Sequence, residues 1–85
     1  MQEVVIYTTR ICPYCVRAKM LLERKGVPYK DVSVENDMTL RQEIMRKSGQ
    51  RTVPQIWIGA THVGGFDDLY ALERAGRLDA LLMSH

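Results

Sequence analysis

Cys12 and Cys15 are the side chains of this 85-residue chain best equipped for chemistry. A Cys-x-x-Cys spacing on a helix puts both sulfurs on one face, one turn apart, so they can meet without movement of the backbone. Cys12 falls where an apolar, β-branched run, Val4-Val5-Ile6-Tyr7-Thr8, gives way to a helical pattern. The first N–H groups of a helix lack internal partners and carry partial positive charge. A thiolate placed there is stabilised. Pro13 suits the first helical turn, where a missing N–H costs nothing. At pH 7 a thiol of pKa about 8.5 is roughly 3% ionised, so complete ionisation raises the nucleophile concentration about 30-fold. Nucleophilicity falls with a Brønsted slope of about 0.4–0.5, so a pKa lower by about 3.5 units loses a similar factor. The two effects nearly cancel for attack, and the clear gain is an easily expelled leaving group. The pattern therefore assigns Cys12 to exchange with outside thiols and Cys15, deeper and intramolecular, to resolve the mixed disulfide.

The same spacing is also half of a zinc knuckle, which needs two further donors. The chain offers His62 and His85, and neither has ligand spacing. No metal site is expected. Closely spaced cysteines in a reducing compartment indicate catalysis or metal rather than a structural bridge.

The elements that must position the pair follow from periodicity. The continuous run of residues 4–8 predicts a strand buried on both faces. The next pattern predicts a helix to Gly26, with Cys15, Ala18, Leu21 and Leu22 on one stripe and Arg17 and Arg24 pointing away. Tyr29 to Val34 reads as a second strand. Asn36, Asp37 or Thr39 is the candidate cap of a second helix, with a capping box at Thr39-Leu40-Arg41-Gln42 and an end at Ser48-Gly49. Gln55 to Ile58 and His62 to Gly64 form a hairpin about Gly59-Ala60, with Ile56 and Ile58 opposite Trp57. Asp67 or Asp68 is the expected cap of a third helix ending at Gly76, and Leu78 to Leu82 adds a last apolar turn. The order β-α-β-α-β-β-α implies an α/β fold, with a right-handed parallel crossover and antiparallel strands in one four-stranded mixed sheet flanked by helices.

Composition narrows the function classes. An apolar fraction of 46% with a net charge of +2 excludes a disordered chain. So small a charge gives no reason to expect nucleic acid or a membrane surface as partner. The basic groups Arg41/Arg46/Lys47/Arg51 and Arg17/Lys19/Arg24/Lys25 read as solvated helix faces. No stretch reaches the roughly 18–20 apolar residues of a membrane span. Met1-Gln2-Glu3 is not basic, and Val4 to Tyr7 is too short for the apolar core of a signal peptide. The expectation is one domain over residues 1–85, in the cytoplasm.

Cys12-Pro13-Tyr14-Cys15 after a strand in a βαβ pattern reads as a thioredoxin-like redox motif. With Thr52-Val53-Pro54 and Gly64-Gly65-Phe66-Asp67-Asp68 in this order and spacing, the chain resembles a dithiol glutaredoxin of the bacterial type over almost its whole length. The resemblance implies a thioredoxin-like fold and a glutathione-dependent disulfide oxidoreductase, with Cys12 and Cys15 catalytic. It implies glutathione as co-substrate and no tightly bound cofactor, NADPH acting only through glutathione reductase. Disulfide-containing or glutathionylated proteins would be the partners of a monomer.

It also implies a cis bond before Pro54, leaving the Val53 backbone beside Cys12 free to pair with an extended peptide. Tyr14 would flank the sulfur. Thr52, Val53, Pro54, Gly65, Phe66 and Asp67 would line the glutathione site, with Asp67 facing the α-amino group. Arg51 would approach the glycyl carboxylate, with Gln50 a weaker candidate. Asp68 is expected to cap or to lie on the surface. Many relatives carry lysine where this chain has Thr9, so Arg10, together with Pro13, is a secondary candidate. A redoxin served by thioredoxin reductase and a glutathione-ligated iron–sulfur carrier stand as alternatives.

Overall fold

The computed structural model describes residues 1–84. His85, weighed above as a zinc donor, lies outside the described residues. The elements run β1 (Val4–Thr8), α1 (Pro13–Arg24), β2 (Lys30–Ser33), α2 (Met38–Ser48), β3 (Gln55–Ile58), β4 (Thr61–Gly64), α3 (Phe66–Arg74) and α4 (Leu78–Met83). The sheet order is β2-β1-β3-β4. β1 pairs parallel with β2 and antiparallel with β3, and β4 closes the hairpin. This is the mixed sheet that the strand pattern predicts.

β1 differs from the expectation of a strand buried on both faces. Val4, Ile6 and Thr8 are buried, while Val5 and Tyr7 are half-buried. The buried face is covered by three helices. Val4, Ile6, Ile56 and Ile58 pack with Ala18, Leu21 and Leu22 of α1, Leu69 of α3, and Leu78 and Leu82 of α4. Ile44, the buried side chain of α2, lies outside that cluster. The run is apolar throughout, but it alternates because its second face has less cover.

α1 ends as its sequence predicts. Gly26 takes φ +69°, Gly26 N–H donates to Glu23 O, and Val27 N–H donates to Leu22 O. These two bonds satisfy carbonyls that the helix leaves open, and a residue with a Cβ would be strained there.

Three other expectations are corrected. Of the three candidate caps of α2 the structure uses Asp37, whose carboxylate accepts from Leu40 N–H at 3.1 Å, so it is the capping box at Thr39 that is corrected. Thr39 therefore lies inside the helix and forms no capping box. α3 is capped by Gly65 rather than Asp67 or Asp68. Gly65 N–H donates to Asp68 Oδ2 at 3.0 Å, so Asp68 reaches back from the first turn and the helix begins two residues earlier than an Asp67 cap implies. The Arg17/Lys19/Arg24/Lys25 group is not simply a solvated face. Lys19 pairs with Asp31, and Lys25 pairs with Glu73 and Asp79, both at 2.8 Å. In the other group, Lys47 pairs with Glu43 one turn earlier on α2.

Candidate functional site

The site is assembled where β1 hands over to α1. Cys12 is the N-cap of α1, with extended backbone at φ −148° and ψ 101°. Cys15 N–H donates to Cys12 Sγ at 3.2 Å, and Cys12 Sγ donates to Val53 O at 3.6 Å. The helix start thus holds the sulfur from one side, and the loop before β3 holds it from the other. Pro13 opens the helix, exposed.

Both cysteines are free thiols, Cys12 half-buried and Cys15 buried. Their environments differ accordingly. Burial pushes the Cys15 thiol up to about 12, aided by its hydrogen bond with the Cys12 side chain and by the charge of that neighbour. The Thr9 backbone and the Lys19 charge act in the opposite direction.

Beside the thiols runs a groove of about 270 Å³ lined by Tyr14, Gln50, Thr52, Val53, Pro54, Gly65, Phe66, Asp67 and Asp68. The Val53–Pro54 peptide bond is cis. Pro54 is buried, whereas Thr52 is exposed and Val53 half-buried. Gly64 lies behind the opposite wall with φ +116°, and a Cβ there would come within 2.9 Å of Asp68 Cγ. That neighbour is the group that secures the start of α3. Asp67 stands free of this cap, exposed in the first turn. The Tyr14 ring lies 6.4 Å from Phe66, which stacks on Tyr70 at 5.8 Å, and the Arg17 guanidinium sits over Tyr14 at 5.1 Å. An aromatic face therefore continues from the groove along α3.

Of the eight primary candidates for a ligand site named from sequence, seven come together. Tyr14, Thr52, Val53, Pro54, Gly65, Phe66 and Asp67 share the groove. Arg51 is exposed and does not line it, and neither do Arg10 and Pro13. The Arg10 N–H is bound to Glu35 at 3.1 Å, which fastens its backbone toward the segment after β2. Gln50 and Asp68 line the groove more fully than the sequence suggested. Gln55 was not anticipated: it is 1% exposed, and its amide bonds both Gln50 and Thr52. A glutamine opening an apolar strand was the available signal, since a buried polar side chain must find partners. Among the described residues, no three His, Cys, Asp or Glu side chains gather to hold a metal ion, and no helix is long and apolar enough to cross a membrane.

This arrangement offers one accessible sulfur, a second within reach of it, and a groove with backbone groups on one wall and a helix start on the other. Such a layout fits thiol–disulfide exchange. A family model described as glutaredoxin matches residues 4–63. A glutaredoxin of Pseudomonas aeruginosa is 65% identical over 82 residues, covering 96% of this chain and 98% of that protein. Glutaredoxin 3 of Escherichia coli is 51% identical over 82 residues, covering 96% and 99%. The solution structure of a Brucella melitensis glutaredoxin superposes with a TM-score of 0.88 at 54% identity, covering 96% of this chain and 89% of that one. A buckwheat glutaredoxin–glutathione complex superposes with a TM-score of 0.89 at 29% identity, covering 95% and 76%. The fold is thioredoxin-like, the relatives support a role as a thiol–disulfide oxidoreductase, and the chain belongs to the glutaredoxin family.

Proposed function

We propose that this protein reduces protein disulfides and glutathione mixed disulfides with glutathione as the electron donor, using Cys12 and Cys15. The observation that carries the reading is the placing of Cys12 Sγ between Cys15 N–H and Val53 O, next to a groove ending at the Asp67 turn. An extended tripeptide laid in that groove pairs with the Val53 backbone as an added strand. Its ammonium end meets the Asp67 carboxylate, and its own cysteine faces Cys12. Tyr14 and Phe66 supply apolar walls.

In the one-cysteine route, the Cys12 thiolate attacks the glutathione sulfur of a glutathionylated protein, and the protein thiolate leaves. A second glutathione thiolate attacks the bound glutathione sulfur, releasing glutathione disulfide and the Cys12 thiolate. In the two-cysteine route, Cys12 attacks a protein disulfide and forms a mixed disulfide. Cys15, deprotonated, attacks the Cys12 sulfur, and the protein leaves as a dithiol. Two glutathiones then reduce the Cys12–Cys15 bridge. The protein needs no tightly bound cofactor for either route, acts as a monomer, and works in the cytoplasm upstream of its protein substrates. Glutathione reductase and NADPH regenerate the donor.

The test is a coupled assay with glutathione, glutathione reductase, NADPH and a small mixed disulfide. Cys12→Ser is expected to abolish turnover. Cys15→Ser is expected to keep deglutathionylation and lose the reduction of protein disulfides. Loss of both activities in Cys15→Ser, or reduction of the wild type by thioredoxin reductase alone, overturns the proposal.

A further inference from the structure

One wall of the groove is backed by a chain of side-chain hydrogen bonds with a defined polarity. Gln55 Nε2 donates to Thr52 O at 3.0 Å and to Gln50 Oε1 at 2.8 Å, while Gln55 Oε1 faces His62 Nε2 at 2.7 Å. A side-chain amide has two N–H donors on nitrogen and only acceptor capacity on oxygen. The Thr52 carbonyl can only accept, so it determines which end of the Gln55 amide is nitrogen. The oxygen is thereby turned to His62, and His62 Nε2 carries the proton and donates. The His62 ring is itself held at 4.6 Å from the Trp57 ring. A flipped Gln55 would set N–H against N–H and oxygen against oxygen, losing these bonds in a site with 1% exposure.

The consequence reaches the ligand site. With Gln50 Oε1 turned to Gln55, the opposite end of that amide, its NH₂, is the end turned away from Gln55, and it is a pure donor. We infer that Gln55 and His62 are positioning residues that turn the Gln50 amide so that it receives the glycyl carboxylate of glutathione as an N–H donor. This rests on the glutathione reading above. The assignment of the glycyl end follows from charge. The Asp67 carboxylate attracts the ammonium-bearing glutamyl end, which leaves the other carboxylate for the wall that carries Gln50 and Thr52.

The experiment compares kcat/KM for glutathione and for its glycyl monoethyl ester, each as reductant of the same small mixed disulfide. Both measurements use one enzyme sample, so a loss of folded protein cancels in the ratio. The wild type is expected to prefer the free acid by about tenfold, the factor that about 1.4 kcal/mol represents. Gln50→Ala is expected to bring the ratio to within about twofold of unity. Gln55→Leu, which alters no atom on the ligand, is expected to do the same. His62→Leu lowers the ratio, and His62→Gln, whose amide can still donate, restores it. An active wild type whose preference survives in Gln55→Leu overturns the inference and leaves the glutathione reading standing. If Gln55→Leu does not fold, equal ratios in His62→Leu and His62→Gln overturn it instead. A wild type that uses neither reductant overturns the glutathione reading and this inference together.

Discussion

Cys15 is a poor acid in the reduced protein, yet its assigned step requires it to lose a proton. Burial is the first cause, and the hydrogen bond and charge of Cys12 follow. The last two fade once the Cys12 sulfur is tied up in a mixed disulfide, because a disulfide sulfur carries no charge and is a poor acceptor for the Cys15 S–H. The thiol therefore becomes easier to ionise at the moment it is needed, while burial still holds it above the free value. Below that pKa the thiolate fraction changes about tenfold per pH unit. The rate of resolution, followed by stopped flow on a preformed Cys12 mixed disulfide, is expected to climb with nearly that slope from pH 6 to 8. A flat profile would show that proton loss from Cys15 does not limit the step. The place of Cys12 at a helix start and of Cys15 on the buried stripe of α1 was legible from sequence, because spacing and a helix start are local facts. The part played by Gln55 was not, since its partners Gln50, Thr52 and His62 are fixed by the loop and the hairpin rather than by periodicity.

At the scale of elements, the caps decide how firmly the groove is held. Asp37 closes the start of α2 and does not line the groove. Asp37→Ala is expected to cost about 1 kcal/mol, a fall of roughly 4–8 °C in Tm for a domain of this size, with glutathione KM unchanged. Gly26 and Gly64 give a sharper contrast. Both have positive φ, but a Cβ on Gly26 meets nothing within 4 Å, whereas one on Gly64 runs into the Asp68 side chain. Gly26→Ala is expected to lose about 1–2 kcal/mol through backbone strain alone. Gly64→Ala is expected to lose more and also to raise glutathione KM, because it displaces the carboxylate that secures Gly65 and the first turn of α3. Thermal melts and steady-state kinetics on the two variants separate strain from displacement; an unchanged KM in Gly64→Ala would sink the link between this turn and the ligand. The order of elements along the chain and the end of α1 were readable because apolar period and the Gly26-Val27-Pro28 stop are written locally. The start of α3 was misplaced for a physical reason: its cap is a glycine with no side chain to advertise it, and the visible aspartates lie inside the helix.

Across the whole molecule, ion pairs join elements distant in sequence. Lys25 at the end of α1 bonds Asp79 of α4 and Glu73 of α3, which raises its pKa through the Asp79 bond first and the Glu73 bond second. Asp31 on β2 is pushed up by burial, but its bonds from Lys19 and Thr8 outweigh this and leave it lowered. A raised lysine adds stability that is complete below its unfolded pKa of about 10.4 and fades as pH rises through the folded value. A lowered carboxylate adds stability that is present above its unfolded pKa of about 3.9 and fades as pH falls through the folded value. The raised Cys15 thiol acts in the alkaline direction as well: the unfolded chain releases its proton near 9.0 while the folded one keeps it to about 12, so stability declines across that interval. Stability measured by urea unfolding is therefore expected to be level from about pH 5 to 8 and to fall on both sides. Variants assign the limbs. Cys15→Ala is expected to make the fall above pH 9 shallower, and Lys25→Met to remove the later part of it, at a cost in stability at pH 7. Asp31→Asn is expected to flatten the acid limb and leave the alkaline one unchanged. An alkaline limb identical in wild type and Cys15→Ala would mean that the buried thiol is not what the folded state protects.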